Sequence, residues 1–402
     1  MKRGAFLAVL VASLGYFVDI YDLILFLVVR VKSLRGIGVP ESELLDRGVL
    51  LLNLQMIGML SGGVLWGILG DKRGRLSVLF GSIFLYSVAN VLNGFVRTVP
   101  EYAVLRFTAG LGLAGELGAG VTLASEILEA ETRGFGTTII AGVGVCGAIV
   151  AALVARAFSW QVAYFVGGGL GLGLLALRVS VSESGMFESV RTRAARRGDL
   201  ALLFAKGERV RRYLAVVLVG VPIWYAVGIL VGLSPELCAA LGLAAKPDPG
   251  RSVMAFYAGA TLGDFGSGVL SQLLRSRKKV IGLFLGLTAL SSAGYFAFAG
   301  RSLSSLYLCA AALGAATGYW AVFVTVAAEH FGTNLRATAT TTAPNVVRGA
   351  VVPMTAAFQA LRGSVGVVTA AIAVGVGAFA LAAVALGSLE ETYGRNLDYL
   401  ED

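Results

Sequence analysis

The stretch TAGLGLAGELGAG, residues 108–120, sets Gly110, Gly112 and Gly115 in the order G-x-G-x-x-G and follows them at once with Glu116. Read as a dinucleotide loop, it needs a strand before the glycines and a helix opening on them, so that backbone N–H groups face a pyrophosphate. Read as part of an apolar helix, the same glycines clear side chains from one face and let a second backbone come close. The flanking sequence decides between the two.

Of 402 residues, 57% are hydrophobic and 14% charged, where soluble domains carry about a quarter charged residues. This is the composition of a membrane protein. Apolar runs near the ~20 residues that cross about 30 Å of hydrocarbon fall at 5–29, 48–70, 76–96, 101–125, 135–157, 160–179, 213–233, 252–273, 280–299, 303–327, 338–360 and 364–388. The quoted stretch lies inside the fourth run, with no strand before it and no soluble βαβ unit around it. Gly142, Gly144 and Gly147 make a second false match in the fifth, as expected by chance among 54 glycines. The glycines therefore read as packing surfaces. The opening MKRGAFLAVLVASLG is shaped like a secretory signal, but its apolar run continues past Asp19 and Asp22 to about Val29, so it is expected to stay as the first span.

Twelve spans put both termini on one side. Most of the 33 Lys and Arg residues fall in the loops of that side, including Lys72, Arg73, Arg75, Arg133 and the clusters at 178–212 and 275–279. Both termini are therefore expected in the cytoplasm of a cell-membrane protein. The net charge of +9 then reflects insertion against an anionic leaflet, and no nucleic-acid partner is implied. A basic linker, 181–212, separates a first bundle, 1–180, from a second, 213–402. GGVLWGILGDKRGR from Gly62 aligns with SGVLSQLLRSRKK from Ser267, placing Gly63 on Gly268; SEILEAETRGFGTT from Ser125 aligns with AEHFGTNLRATATT from Ala328, placing Glu126 on Glu329 and Arg133 on Arg336. Such a duplication marks transporters that bind their solute at mid-membrane between the repeats. The expected fold is an all-α integral membrane protein of twelve helices in two pseudo-symmetric bundles, a monomer whose partners are the bilayer and a small-molecule substrate.

Ionisable residues inside spans cost about 2.5–3.5 kcal/mol each on insertion scales, so they read as functional. Asp19, Asp22, Glu116 and Asp264 are the candidates for proton coupling. Asp19 and Asp22, three apart, share roughly one helical face, expected to turn to the central cavity. Two carboxylates held close in low dielectric resist ionising together, which suits a proton carrier; the other reading of either is as the partner of an arginine. Arg106 and Arg348, one in each half, carry donor forks matched to a carboxylate or phosphate and are candidates for an anion clamp. Arg106 lies toward the outer end of its span and reads equally as snorkelling to the interface; Arg348 reads also as the neutraliser of Asp22 or Glu116. Tyr21, Asn53, Gln55, Trp224, Tyr225, Tyr257, Tyr319, Trp320 and Asn345 are candidates to line the cavity, or to pack. His330 reads as a loop residue, and Cys146, Cys238 and Cys309 lack metal spacing. Neither a membrane enzyme nor a sensor finds its machinery here: no nucleophile or metal cluster stands out, and no segment is long enough for a soluble signalling domain.

GILGDKRGRL, Gly67 to Leu76, resembles the major facilitator superfamily signature GxxxD(K/R)xGR(K/R), short only of its final basic residue. FVDIYDLILF around Asp19 and Asp22, AGELGAG around Glu116, SESGMFESV after the sixth span and EETYGRNLDYLED at the C-terminal end resemble the corresponding segments of its metabolite:proton and phosphate:proton symporters and sugar porters. The resemblance implies secondary transport by alternating access, with protons as coupling ion and no other cofactor. It places Asp22 at the first-span proton site, and it implies a cytoplasmic gate of Asp71, Arg75, Glu126, Arg133, Glu183, Glu329 and Arg336. The seventh span lacks the QQxSG motif of sugar porters and the fifth the Gly-Pro of drug:proton antiporters. The expectation is a proton-coupled symporter for a small organic anion of carboxylate type, with phosphate or a sugar as the second reading.

Overall fold

A computed structural model describes residues 3–73, 75–115, 130–183, 203–395 and 401. Every regular element among them is helical. The first half holds α1 (Arg3–Gly36), α2 (Leu44–Arg73), α3 (Arg75–Asn93), α4 (Val99–Leu113), α5 (Ala130–Ala157) and α6 (Trp160–Glu183); the second holds α7 (Gly207–Tyr225), α8 (Ser234–Ala240), α9 (Pro249–Leu273), α10 (Arg277–Phe298), α11 (Leu303–Thr317), α12 (Trp320–Glu329), α13 (Thr333–Gly349), α14 (Val351–Val365) and α15 (Val367–Ser388). Seven described helical stretches are long and apolar enough to cross a membrane, and Phe80–Asn93 and Gly142–Ala157 are shorter apolar helices. Local chemistry sets the starts: Thr98 and Glu101 form a capping box at α4, and Asp248, Ser276 and Ser302 cap α9, α10 and α11, each satisfying N–H groups that have no partner within the helix. Below, the near face is the one on which α1 begins and the far face the one on which it ends.

In the first half α1 packs on α5 and α6, α2 on α4, and α3 on α4 and α6; in the second, α7 packs on α13 and α15, α9 on α11, and α10 on α11 and α15. The same pairing thus occurs twice, and glycines set its register. A Cβ on Gly58, Gly62 or Gly110 would collide with the backbone oxygen of Phe107, Leu111 or Gln55 across the α2–α4 contact. Across α9–α11, Gly259, Gly263 and Gly314 stand in the same relation to Ala311, Ala315 and Phe256. These oxygens can approach only a bare Cα, so the glycines of the quoted stretch are close-contact surfaces in lipid, where dispersion drives helix association. The matched contacts pair Gly62 with Gly263, which moves the Gly63–Gly268 alignment by about one helical turn. A glycine every turn makes neighbouring registers equally good in sequence, and only the facing oxygens distinguish them.

Three spans expected as continuous helices, 213–233, 303–327 and 338–360, are interrupted. Pro222 removes an N–H inside α7, which gives way to a π-helical segment at Ala226–Val231; α11 and α12 part around Gly318–Tyr319, and α13 and α14 around Ala350. Apolar patterning continues across each break, so hydropathy does not register it. The two halves meet through α5 on α9 and α2 on α13 and α14. Residues 184–202, most of the expected linker, lie outside the described residues.

Candidate functional site

Asp19 and Asp22 enter different environments. An advance of three residues leaves side chains about 60° apart on a helix of 3.6 residues per turn, enough here to divide them between a contact within the first half and a contact between halves. Both are fully buried.

Asp19 faces the second half. Its Oδ2 lies 3.6 Å from Nη2 of Arg348 on α13, and both side chains are sealed from solvent. The Arg348 guanidinium sits 6.0 Å from the Trp224 ring and 5.7 Å from the Trp320 ring, within cation–π range. Its Nε and Nη1 have no hydrogen-bond partner among the described residues. Tyr16 lies within electrostatic reach of Arg348, Asp19 and Asp264 and points its hydroxyl toward Trp320; Tyr257 adds a second phenol to the same group. α1, α7, α9, α12 and α13 therefore converge on one cation with spare donors, flanked by two flat aromatic walls. The helix break before α12 positions one wall: Asp264 accepts the Ala321 N–H at 3.2 Å, tying the start of α12 to α9 and so fixing Trp320.

Asp22 faces inward, into its own half. Arg106 on α4 is the charge that acts on it most strongly, and Asn90 on α3 turns its amide toward the carboxyl, though neither carboxyl oxygen completes a hydrogen bond among the described residues. The Arg106 guanidinium lies 5.1 Å from the Phe26 ring and 5.8 Å from that of Tyr164, and Tyr164 and Tyr102 share a 2.5 Å hydrogen bond beside it. Arg106 is fully buried rather than snorkelling, and its contacts lie in the first half, so its placement differs from that of a clamp reaching across the cavity opposite Arg348.

The other expected residues divide. Trp224 belongs to the Arg348 group. Asn345 donates to the Ala114 and Thr341 carbonyls at 3.2 Å, spanning the halves, and Asn53 accepts from Thr355 across them at 2.7 Å. Tyr21, Tyr225 and Tyr319 anchor helices by donating to the carbonyls of Ala163, Ala371 and Val219, each at 2.9 Å, and Gln55 donates to that of Leu23 at 3.3 Å. Of the cytoplasmic gate, Glu329 pairs with Arg277 at 3.4 Å and accepts from Thr392 at 2.6 Å, while Arg336 donates to the Ala328 carbonyl at 3.2 Å. All these partners lie in the second half. Glu116 and Glu126 lie outside the described residues, as do the side chains of Asp71, Arg75, Arg133 and Glu183. Tyr16 and Asn90 do not stand out in the sequence as site residues. The paired amides Asn90 and Asn93 inside an apolar span were the available signal for the second.

A family model described as Major Facilitator Superfamily matches residues 5–351. Among curated proteins, a niacin transporter of Acinetobacter baylyi is 33% identical over 138 residues, covering 33% of this chain and 31% of that one. A 4-hydroxybenzoate transporter of Pseudomonas aeruginosa is 30% identical over 178 residues, covering 42% and 37%. An inorganic phosphate transporter of Oryza sativa subsp. japonica is 33% identical over 171 residues, covering 38% and 32%. The matched stretches span less than half the length of each relative.

Proposed function

This chain belongs to the Major Facilitator Superfamily, and we propose that it is a secondary transporter that carries a small organic anion together with a proton, alternating between the two faces of the cell membrane with both termini cytoplasmic. The observation that carries this reading is the buried Asp19–Arg348 pair spanning the two halves. A solute carboxylate arriving between the halves finds two unpartnered guanidinium nitrogens and competes with Asp19 for the third. Once displaced, Asp19 requires a proton, because an ionised carboxyl without its cation in low dielectric costs several kcal/mol.

Charge then couples the two cargoes. With Asp264 in its protonated form, the empty site is neutral, Arg348 being balanced by Asp19, and so is the site holding both solute anion and proton. A site holding the anion alone is negative, and one holding the proton alone is positive. Either would take a net charge through the closed intermediate, so the halves rock with both cargoes or with neither. Family resemblance assigns the proton to Asp22; the geometry supports Asp19 for it, with Asp22 turned into its own half toward Arg106. The Trp224 and Trp320 walls favour a carboxylate on a flat ring over phosphate, and the buried Arg348 cation favours an acid over a neutral sugar.

The test is uptake into proteoliposomes holding a dye for internal pH, with 4-hydroxybenzoate, niacin and phosphate as probes. Expected is acidification that accompanies uptake of a carboxylate, lost in Asp19→Asn while solute exchange persists. Acidification by Asp19→Asn at the rate of the unaltered protein would reject the assignment.

A further inference from the structure

At the far face a second ion pair joins the halves. Arg30, near the end of α1, is 1% exposed and holds Glu236 of α8 at 2.7 Å, with Glu236 19% exposed. The same guanidinium donates to the Gly232 carbonyl at 3.2 Å and to the Leu44 carbonyl at 3.5 Å. Gly48 on α2 makes room for it, since a Cβ there would stand 2.7 Å from Arg30 Cδ and Nη1. One side chain thus ties α1 and the start of α2 to the turn that closes the π-helical segment Ala226–Val231, just beyond Trp224. Asp46 of α2 also pairs with Arg362 of α14, but those side chains are 51% and 25% exposed, where an ion pair contributes little.

We propose that Arg30 and Glu236 form the latch that closes the far face, gripping the unwound turn next to Trp224, and that release of this one pair opens the Arg348 site to that side. A sheltered charge pair makes a good latch. Broken in a dry interior it is costly, but once water enters with the parting halves both ions are hydrated, so it favours fully shut or fully open over half-open states. Nothing in the latch depends on the solute or on the proton site.

The experiment therefore uses no solute. In a full-length chain with Cys146, Cys238 and Cys309 replaced by Ser, Thr355→Cys places a thiol on a buried residue of α14 that faces Asn53 across the halves. The probe is a membrane-impermeant maleimide added from the far face, and Lys246→Cys, an exposed position, controls for reagent access. Labelling at 355 is expected to rise at least about tenfold in Glu236→Gln and in Arg30→Gln, a shift of about 1.4 kcal/mol toward the open state. Arg362→Gln is expected to change it less than about twofold. Thermal melting of each variant separates opening from unfolding. Unchanged labelling in both single variants, or an equal rise in Arg362→Gln, would overturn the latch.

Discussion

Asp19 and Asp22 share a helix, a chemistry and complete burial, yet the first pairs with an arginine across the boundary between halves and the second lies under the field of one within its own half. In the cycle proposed above the boundary parts and the interior of a half does not, so only Asp19 would lose and regain its partner. A carboxylate that exchanges partners suits coupling, whereas one that faces Arg106 inside a single half keeps the same neighbours. A charge inside the membrane thus takes its role from whether the surface it faces separates.

The largest effect that could break this comparison is on accumulation. Asp19→Asn is expected to abolish proton-driven uptake of a carboxylate probe, and Asp22→Asn to leave a measurable pH-driven gradient; the reverse result in the same proteoliposomes would return the proton to Asp22. Next comes stability. Arg106→Met strands a buried carboxylate and is expected to cost about 3–5 kcal/mol, with most of it recovered when Asp22→Asn is added. Arg348→Met should cost less than half as much, because a parted boundary lets water reach Asp19; thermal unfolding in detergent, run as a double-mutant cycle, compares them.

A smaller effect probes the space behind Asp22. A Cβ on Gly167 would strike Asp22 Oδ1 and stand 2.9 Å from Tyr21 Cε1, so Gly167→Ala should cost about 1–3 kcal/mol. Gly266→Ala meets open space and should stay within about 0.5 kcal/mol; equal melting shifts would mean that Asp22 is not held tightly. The smallest effect sets a baseline for an acid in water. Partial burial opposes the ionisation of Glu391, but hydrogen bonds from the Ser276 hydroxyl and the Tyr393, Arg277 and Lys278 N–H groups outweigh it and hold its pKa below the usual glutamate value. Its contribution is therefore complete above the unfolded value, about 4.3, and lost as pH falls through the lower folded one. Glu391→Gln should cost about 0.3–1 kcal/mol at neutral pH, with melting curves of variant and parent converging toward about pH 3.

Some of the site is legible in one dimension. Arg348, Asp19, Trp224 and Trp320 stand out because each is a polar or amphipathic group within an apolar run, and that exception needs no fold to be seen. Arg30 is hidden for the opposite reason: at the end of a span it reads as an ordinary loop base, and its acid, Glu236, lies in the other half of the chain. Tyr16 is hidden because a tyrosine in the middle of an apolar span reads as ordinary packing, and only its neighbours make it notable.

From the order of residues alone came a membrane protein of helices, a duplicated plan, and the reading of Gly110, Gly112 and Gly115 as surfaces for contact rather than for a nucleotide. Composition and span length carry these because bilayer thickness and backbone hydrogen bonding act on each segment separately. Only the tertiary structure decided which arginine meets which aspartate, where the spans unwind, and that Arg30 reaches Glu236. Those outcomes depend on rotations and registers between segments far apart in the chain, and a helix's own periodicity places a charge on a face without saying what will stand opposite it.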